Sequence, residues 1–212
     1  DETALSLNLK CYVHALDAFK DLIQDLAQGF PLGERQDLKK RSYFSRSQKP
    51  SRVGFLSWEE SAQEIERQFR ALSFGDYPNT LVSFKVFIGN DVFIPGKTEI
   101  ISSCSQEMPG TIIQITEKSV HISTKTQDIS LSHFIDLKGN KYCIDAFVQQ
   151  TGIGIGDLLR DPNQKVLQDM QNLSTDLSTY EEFWIKEIGG IFLSFLLFAS
   201  SLLRVDGGKY KN

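Results

Sequence analysis

The sequence is poor in the residues that would place it in several well-defined classes of protein. It contains 3 cysteines, and Cys11, Cys104 and Cys143 lie far apart without a Cys-x-x-Cys pair. Their number and spacing argue against a disulfide framework or a zinc site and are typical of the reducing cytoplasm. No basic segment followed by an apolar stretch opens the chain, so we expect no signal peptide and a cytoplasmic location.

The sequence also has no large excess of positive or negative charge. The formal net charge is -4, so no overall field favours nucleic acid or an anionic membrane. Basic residues do cluster between Lys39 and Arg52, together with Tyr43 and Phe44. We interpret this stretch as a solvated connector, with binding of phosphate or single-stranded nucleic acid as the alternative.

The first segment of the chain predicts one amphipathic helix from about Ser6 to Gln28, with Ser6 as the N-cap and Gly29 as the stop. Apolar residues recur along it at three- and four-residue spacing, namely Leu9, Val13, Leu16, Phe19, Ile23 and Leu26. The chain begins with Asp1 rather than Met. We therefore expect a fragment of a longer protein, in which a preceding domain covers this stripe.

A second helix is predicted after the connector. Ser57 can cap it, Glu60 completes a capping box, and Ile65, Phe69 and Leu72 form its buried face. It is expected to end before Pro78.

The following stretch predicts short strands separated by turns. The strands are Thr80–Ile88, Val92–Ile101, Thr111–Thr116, Ser119–Thr124 and Asp128–Asp136. The first two form a hairpin around Gly89-Asn90-Asp91. The predicted class is α+β: N-terminal helices and a connector, then a small OB-like (oligonucleotide-binding-like) or Greek-key β-barrel, then a short helical tail.

The tail is less regular. Residues Asp157–Asp169 and Thr175–Glu187 predict short polar helices. The apolar run Ile191–Leu203 is shorter than the roughly 20 residues of a membrane span, and we interpret it as a frameshifted or truncated end rather than an anchor.

Few residues suggest chemistry. His14, His121 and His133 are candidate general bases, but no nucleophile motif or metal-ligand spacing accompanies them. Pro95–Thr98 (PGKT) resembles the end of a phosphate-binding loop but lies in a predicted strand. The glycines of Gly152–Gly156 lack the spacing of a dinucleotide fingerprint and predict a hinge. The sequence therefore assigns no catalytic, cofactor-binding or metal-binding residue.

Residues 57–72 (SWEESAQEIERQFRAL) resemble the helix that joins the two domains of the methionyl-tRNA formyltransferase family. The residues that follow the family pattern are Trp58, Ser61, Ile65, Arg70 and Ala71. Pro109–Ile112 (PGTI) resembles the start of the family's next barrel strand. Residues 1–29 resemble the last helix of the catalytic domain, and Gln36–Pro50 the connector, so the resemblance covers roughly residues 1–138.

The resemblance implies a parent enzyme that uses 10-formyltetrahydrofolate to formylate an amine. The family's catalytic Asn-x-His motif and downstream Asp belong to a Rossmann-like domain that would precede this chain. No catalytic residue is therefore carried over, and we expect the chain alone to be inactive.

The acceptor is suggested by a second resemblance. Residues Leu177–Ile188 (LSTYEEFWIKEI) resemble the opening of the module that follows the formylation domain in nonribosomal peptide synthetases. This implies a carrier-protein-bound aminoacyl acceptor. The alternatives are a tRNA-binding C-terminal domain of a methionyl-tRNA formyltransferase, a sugar-nucleotide formyltransferase, or a non-catalytic barrel that binds tRNA or a carrier protein. We expect tRNA less than a carrier protein because the predicted barrel has few lysines, and we expect no membrane partner.

The expected domain arrangement follows from these resemblances. It comprises residues 1–29 as the last helix of a missing catalytic domain, 30–56 as the connector, 57–78 as the linking helix, 79–148 as the OB-like barrel, and 149–212 as a linker and the truncated start of a synthetase module.

Overall fold

The computed structural model describes residues 2–29, 33, 35–45, 48–75, 77, 82–180, 183 and 186–187. Within them the helices are α1 (Ala4–Ala27), α2 (Ala62–Leu72), α3 (Ile144–Thr151) and α4 (Gln164–Thr179). The strands are β1 (Val86–Ile88), β2 (Asp91–Ile100), β3 (Ile112–Ile115), β4 (Val120–Ile122), β5 (Ile129–Asp136) and β6 (Lys141–Tyr142). Short 3-10 turns span Leu38–Lys40 and Ser51–Gly54.

The strands form one antiparallel sheet with the order β1-β2-β5-β4-β3, and β6 pairs with β5. The long strand β2 lies between β1 and β5, and Phe93 pairs both with Val86 of β1 and with Asp136 of β5. The meander β3-β4-β5 that returns to lie beside β2 has the order of a Greek key. Helices therefore accompany an antiparallel sheet curled into a half barrel, and the predicted α+β class is confirmed.

The predicted hairpin is confirmed at its turn. Ile88 pairs with Asp91, and Gly89 between them has a φ of +64°, which a glycine adopts without strain. Thr80 and Leu81, at the start of the first predicted strand, lie outside the described residues. Regular pairing of β1 begins only at Val86.

The core is centred on three phenylalanines from different elements. The rings of Phe134 (β5) and Phe147 (α3) stack with their centroids 3.8 Å apart. Phe93 (β2) meets Phe147 edge-on at 5.0 Å. All three side chains are fully buried, so this cluster fixes α3 against the sheet.

Neither β6 nor α3 was predicted from the sequence. A signal for α3 was present, since Ile144, Phe147 and Val148 have helical spacing and Asp145 lies in the first turn. The predicted hinge at Gly152–Gly156 is wrong. Gly152 is the left-handed C-cap of α3 and donates its N–H to Val148 O at 2.8 Å, while Gly156 donates to Ile112 O at 2.8 Å.

Both predicted helix starts require correction. α1 begins one turn earlier than predicted, with Thr3 as the N-cap and Ser6 inside the helix. α2 is capped by Ser61 with Glu64, four residues after the predicted Ser57 and Glu60. Ser57 and Trp58 are buried before the helix, in a turn where the N–H of Glu60 donates to Ser57 O at 3.2 Å.

The two predicted tail helices are also wrong in their bounds. Residues 157–163 are not helical, and α4 spans Gln164–Thr179 with Asn163 as its N-cap. The helix continues because Val166, Met170, Leu173 and Leu177 keep helical spacing across the expected break. Beyond it, the described residues Phe183, Lys186 and Glu187 are also helical. The apolar run 191–203 lies outside the described residues.

Candidate docking surface and the Asp161 junction

The α1 helix carries the largest apolar face of the described residues. None of its residues is buried. Leu16 and Phe19 are 62% and 60% exposed. The other large apolar residues of the helix, each more than half exposed, are Leu7, Leu9, Tyr12, Val13, Leu22, Ile23 and Leu26. A continuous apolar stripe of this length marks a surface that another element covers.

The first turn of α1 attaches the helix to α2. The N–H of Leu5 donates to the carbonyl O of Ser73 at 3.1 Å, and Arg70 Nη1 donates to the carbonyl O of Glu2 at 3.1 Å. Arg70 also donates to Glu66 at 2.6 Å, so its guanidinium links the end of α2 to the start of α1. The position of the apolar face relative to the barrel is therefore set by a few contacts at one end.

A second junction forms where the connector enters the barrel, and its centre is Asp161. Arg52 Nη2 donates to Asp161 Oδ2 at 2.8 Å, and Ser57 Oγ donates to the same oxygen at 2.6 Å. The backbone N–H of Trp58 donates to Asp161 Oδ1 at 3.2 Å. One carboxylate thus binds the end of the connector and the chain leading into α2.

Arg52 is held further by its own neighbours. Its Nε donates to the carbonyl O of Phe55 and its Nη2 to that of Leu56, both at 3.3 Å. The side chains of Arg52 and Asp161 are only 26% and 28% exposed, so this ion pair is shielded more than a surface pair. Nearby Glu60 has its pKa raised, because burial disfavours its charged form.

The turn that carries Arg52 has an unusual backbone. Arg52, Val53 and Gly54 all have positive φ, at 56°, 53° and 80°. The first two are not glycines, and a β-branched residue such as Val53 is an outlier in this region. Each such residue costs on the order of 1–3 kcal/mol and persists only where its surroundings enforce it.

The segment after this turn pairs with Lys85, the residue before β1. The N–H of Lys85 donates to Gly54 O at 2.8 Å, and the N–H of Leu56 donates to Lys85 O at 3.0 Å. The Lys85 ammonium lies 5.4 Å from the centroid of the Phe55 ring. Burial lowers the pKa of Lys85 from 10.5 to about 8.

The candidate residues from the sequence do not form a site. His14 lies on α1, while His121 and His133 lie on the adjacent strands β4 and β5. His121 Nε2 is 3.1 Å from Ser119 Oγ, and His133 has a φ of 58° opposite Gly96. Within the described part of the chain, no group of three or more His, Cys, Asp or Glu residues could hold a metal ion.

The cysteines and the Pro95–Thr98 motif do not form binding sites in the part of the chain that the structure describes. Cys11, Cys104 and Cys143 are free thiols on exposed residues. Pro95–Thr98 lies inside β2, not at the strand-to-helix turn of a phosphate loop. None of the helices that the structure describes is long and apolar enough to cross a membrane.

The basic connector presents aromatic side chains. The Arg41 guanidinium lies 4.9 Å from the centroid of the Tyr43 ring. Tyr43 and Phe44 are exposed, as are Lys39 and Lys40. Arg46, within the same stretch, lies outside the described residues.

Residues 50–152 match the family model described as formyl transferase, C-terminal domain. The matched range begins at the Ser51–Gly54 turn and extends through α2 and the whole sheet to the end of α3. This part of the chain, just under half of its length, is therefore similar to a formyltransferase C-terminal domain.

Similar curated proteins are methionyl-tRNA formyltransferases of Coxiella burnetii. Those of strain CbuK_Q154 and of strain RSA 493 / Nine Mile phase I are each 25% identical over 143 residues, which is 68% of this chain. The match spans 43% of the length of these relatives. Among solved structures, a HypX variant from Aquifex aeolicus has a TM-score of 0.42 and 13% identity, over 73% of this chain and 24% of that one.

The Asp161 junction was missed by the sequence reasoning. Arg52 and Asp161 are 109 residues apart, and no motif joins them. The only local signal is Gly54 after Arg52 and Val53, which is compatible with a left-handed turn but does not specify one.

Proposed function

We propose that this chain is the accessory C-terminal region of a 10-formyltetrahydrofolate-dependent formyltransferase, whose catalytic part lies on residues outside this chain. The observation that carries the proposal is the exposed apolar face of α1, next to a segment that matches the formyltransferase C-terminal domain. A catalytic domain that packs on this face would cover the stripe. The connector would then carry the chain into the barrel.

We further propose that the acceptor is an aminoacyl group on a carrier protein, at the start of nonribosomal peptide synthesis. Two features support this acceptor. The net charge is -4, which does not favour a polyanion such as tRNA. The chain also continues beyond the matched domain through α4, with a segment that resembles the opening of a synthetase module.

The first test is sequencing of the coding locus on both sides of this chain. The proposal expects an in-frame folate domain with an Asn-x-His motif upstream and a synthetase module downstream. Stop codons that directly flank the chain would overturn both expectations.

A second test is an activity assay with the purified 212 residues. We expect no formyl transfer from 10-formyltetrahydrofolate, either to a carrier-bound amino acid or to methionyl-tRNA. Turnover by these residues alone would contradict the assignment of the catalytic groups to another part of the protein.

The second candidate function is tRNA binding. It is favoured by the exposed Lys39, Lys40 and Arg41 beside Tyr43 and Phe44, since cations and stacking aromatics suit nucleic acid. Titration of the chain with tRNA at several salt concentrations tests it. Binding that weakens steeply with salt, and is lost when the three cations are replaced by glutamine, would favour tRNA over a carrier protein.

A further inference from the structure

We propose that the Arg52–Asp161 ion pair is a conformational latch, which holds the Ser51–Gly54 turn in its left-handed form and so fixes the direction in which the connector leaves the barrel. The inference rests on the geometry of the described residues and does not depend on the proposed function.

The first observation is the strain in the turn. Two consecutive residues that are not glycine, Arg52 and Val53, have left-handed backbones. Within the turn itself, one backbone hydrogen bond is formed across it, from Phe55 N–H to Arg52 O at 3.0 Å. A single local bond does not account for a conformation that L-residues disfavour, so contacts from outside the turn must contribute.

The second observation is where those outside contacts come from. Asp161 follows the barrel in the sequence, yet its carboxylate binds the Arg52 guanidinium, the Ser57 hydroxyl and the Trp58 N–H. The Arg52 guanidinium in turn donates to Phe55 O and Leu56 O. The carboxylate therefore orders one continuous segment, residues 52–58.

The third observation is that α4 contacts the same turn. A groove between them is lined by Val53 and Lys49 on one side and by Met170, Leu173 and Leu177 on the other. Residues that precede the barrel in the sequence and residues that follow it therefore meet at the 51–54 turn. A change in the segment after the barrel is transmitted to the connector through Asp161 and Val53.

The test is hydrogen exchange of the whole chain, comparing the wild type with Asp161→Asn. Asparagine keeps the shape but removes the charge that pairs with Arg52. We expect amide exchange to rise about tenfold or more at residues 52–58, since hydrogen bonds to a charged group are the stronger kind. Exchange in β2 and β5 should stay as in the wild type.

The matched control is Asp136→Asn. Asp136 also accepts several hydrogen bonds, but in the turn between β5 and β6, from Lys138, Asn140 and Tyr142. It is expected to raise exchange at residues 136–142 and to leave residues 52–58 protected. Unchanged exchange at 52–58 in D161N, or an equal rise throughout the barrel, would overturn the latch.

Trypsin gives an independent readout. An engaged Arg52 is a poor substrate, so D161N should be cleaved after Arg52 at least several times faster than the wild type. If D161N fails to fold, Arg52→Gln answers the same question, because glutamine removes the charge that pairs with Asp161. R52Q with wild-type protection at residues 53–58 would contradict the proposal.

Discussion

Gly54 occupies a position where a side chain meets the backbone of another segment. A Cβ at this residue would lie well inside contact distance of the carbonyl O of Ser83, and its φ is +80°. We expect Gly54→Ala to lower the free energy of unfolding by about 3 kcal/mol or more, since strain and a clash with backbone add. Urea unfolding measures the loss.

Gly139→Ala is the matched control for this substitution. Gly139 has a φ of +89°, but nothing lies within 4 Å of an added Cβ. Gly139→Ala should lower the free energy of unfolding by only about 1 kcal/mol, the cost of placing alanine in a left-handed backbone. Equal losses for the two variants would contradict the role given to the approach of Ser83.

Lys85 makes stability depend on pH in the alkaline range. Its pKa is lowered from 10.5 to about 8 by burial, so the folded protein binds this proton less tightly than the unfolded chain. The resulting penalty is complete below pH 8 and disappears as the pH rises from about 8 past 10.5. Lys85→Met should therefore raise the free energy of unfolding at pH 7, by about 1 kcal/mol after allowance for partial exposure.

Urea unfolding at pH values from 7 to about 10 checks this sign, because the difference between Lys85→Met and the wild type should shrink as Lys85 deprotonates. Lys118→Met is the control: it removes an exposed lysine in the turn after β3, where no burial penalty exists to be relieved, so it should not raise the free energy of unfolding at pH 7. A constant difference at position 85 would indicate lost packing or hydrogen bonding instead of relieved desolvation.

At the scale of the elements, α1 is predicted to matter for association and not for folding. Leu16 is 62% exposed, and no residue of the helix is buried. The exposed stripe should make the isolated chain self-associate. Leu16→Asp should reduce this self-association, measured by sedimentation, and leave the melting temperature of the barrel unchanged, measured by calorimetry. Lys20→Asp, on an exposed position of the same helix, should change neither; a barrel destabilised by L16D would mean that α1 is part of its core.

The elements also show where sequence reasoning succeeds and where it stops. Local signals predicted the β1–β2 turn at Gly89 and most strand bounds, because alternation and turn chemistry are encoded within a few residues. The start of α2 was misplaced because Ser57-x-x-Glu60 and Ser61-x-x-Glu64 are both capping boxes. In the structure the Ser57 hydroxyl donates to Asp161 instead of capping the helix, and no local pattern contains this tertiary contact.

The same distinction holds for the candidate sites. The apolar face of α1 was predictable, since it depends only on helical spacing. The Asp161 junction was not predictable. It joins Arg52, before the barrel in the sequence, to Asp161, after it, and relies on a left-handed turn at Arg52 and Val53. Left-handed conformations of such residues are set by their surroundings and not by their identity.

At the scale of the whole molecule, the segment after α3 is predicted to be part of the folded domain. The family match ends at residue 152, but the chain then runs along the edge of β3. Gly156 donates to Ile112 O at 2.8 Å, Ile112 donates to Asp157 O at 2.9 Å, and Leu159 donates to Gly110 O at 2.9 Å. Leu159 is buried in the core, and Asp161 follows two residues later.

Two truncations separate this segment from α4. A chain that ends at Gly152 loses the three backbone hydrogen bonds, the buried Leu159 and the Asp161 carboxylate, and should be destabilised by about 5 kcal/mol, enough to unfold many domains. A chain that ends at Asn163 keeps all of these groups and loses only α4. We expect it to retain cooperative thermal unfolding with a modestly lower midpoint, because within α4 only Leu167 is buried. If the chain ending at Gly152 is as stable as the one ending at Asn163, the edge contacts and the Asp161 junction are dispensable for the fold.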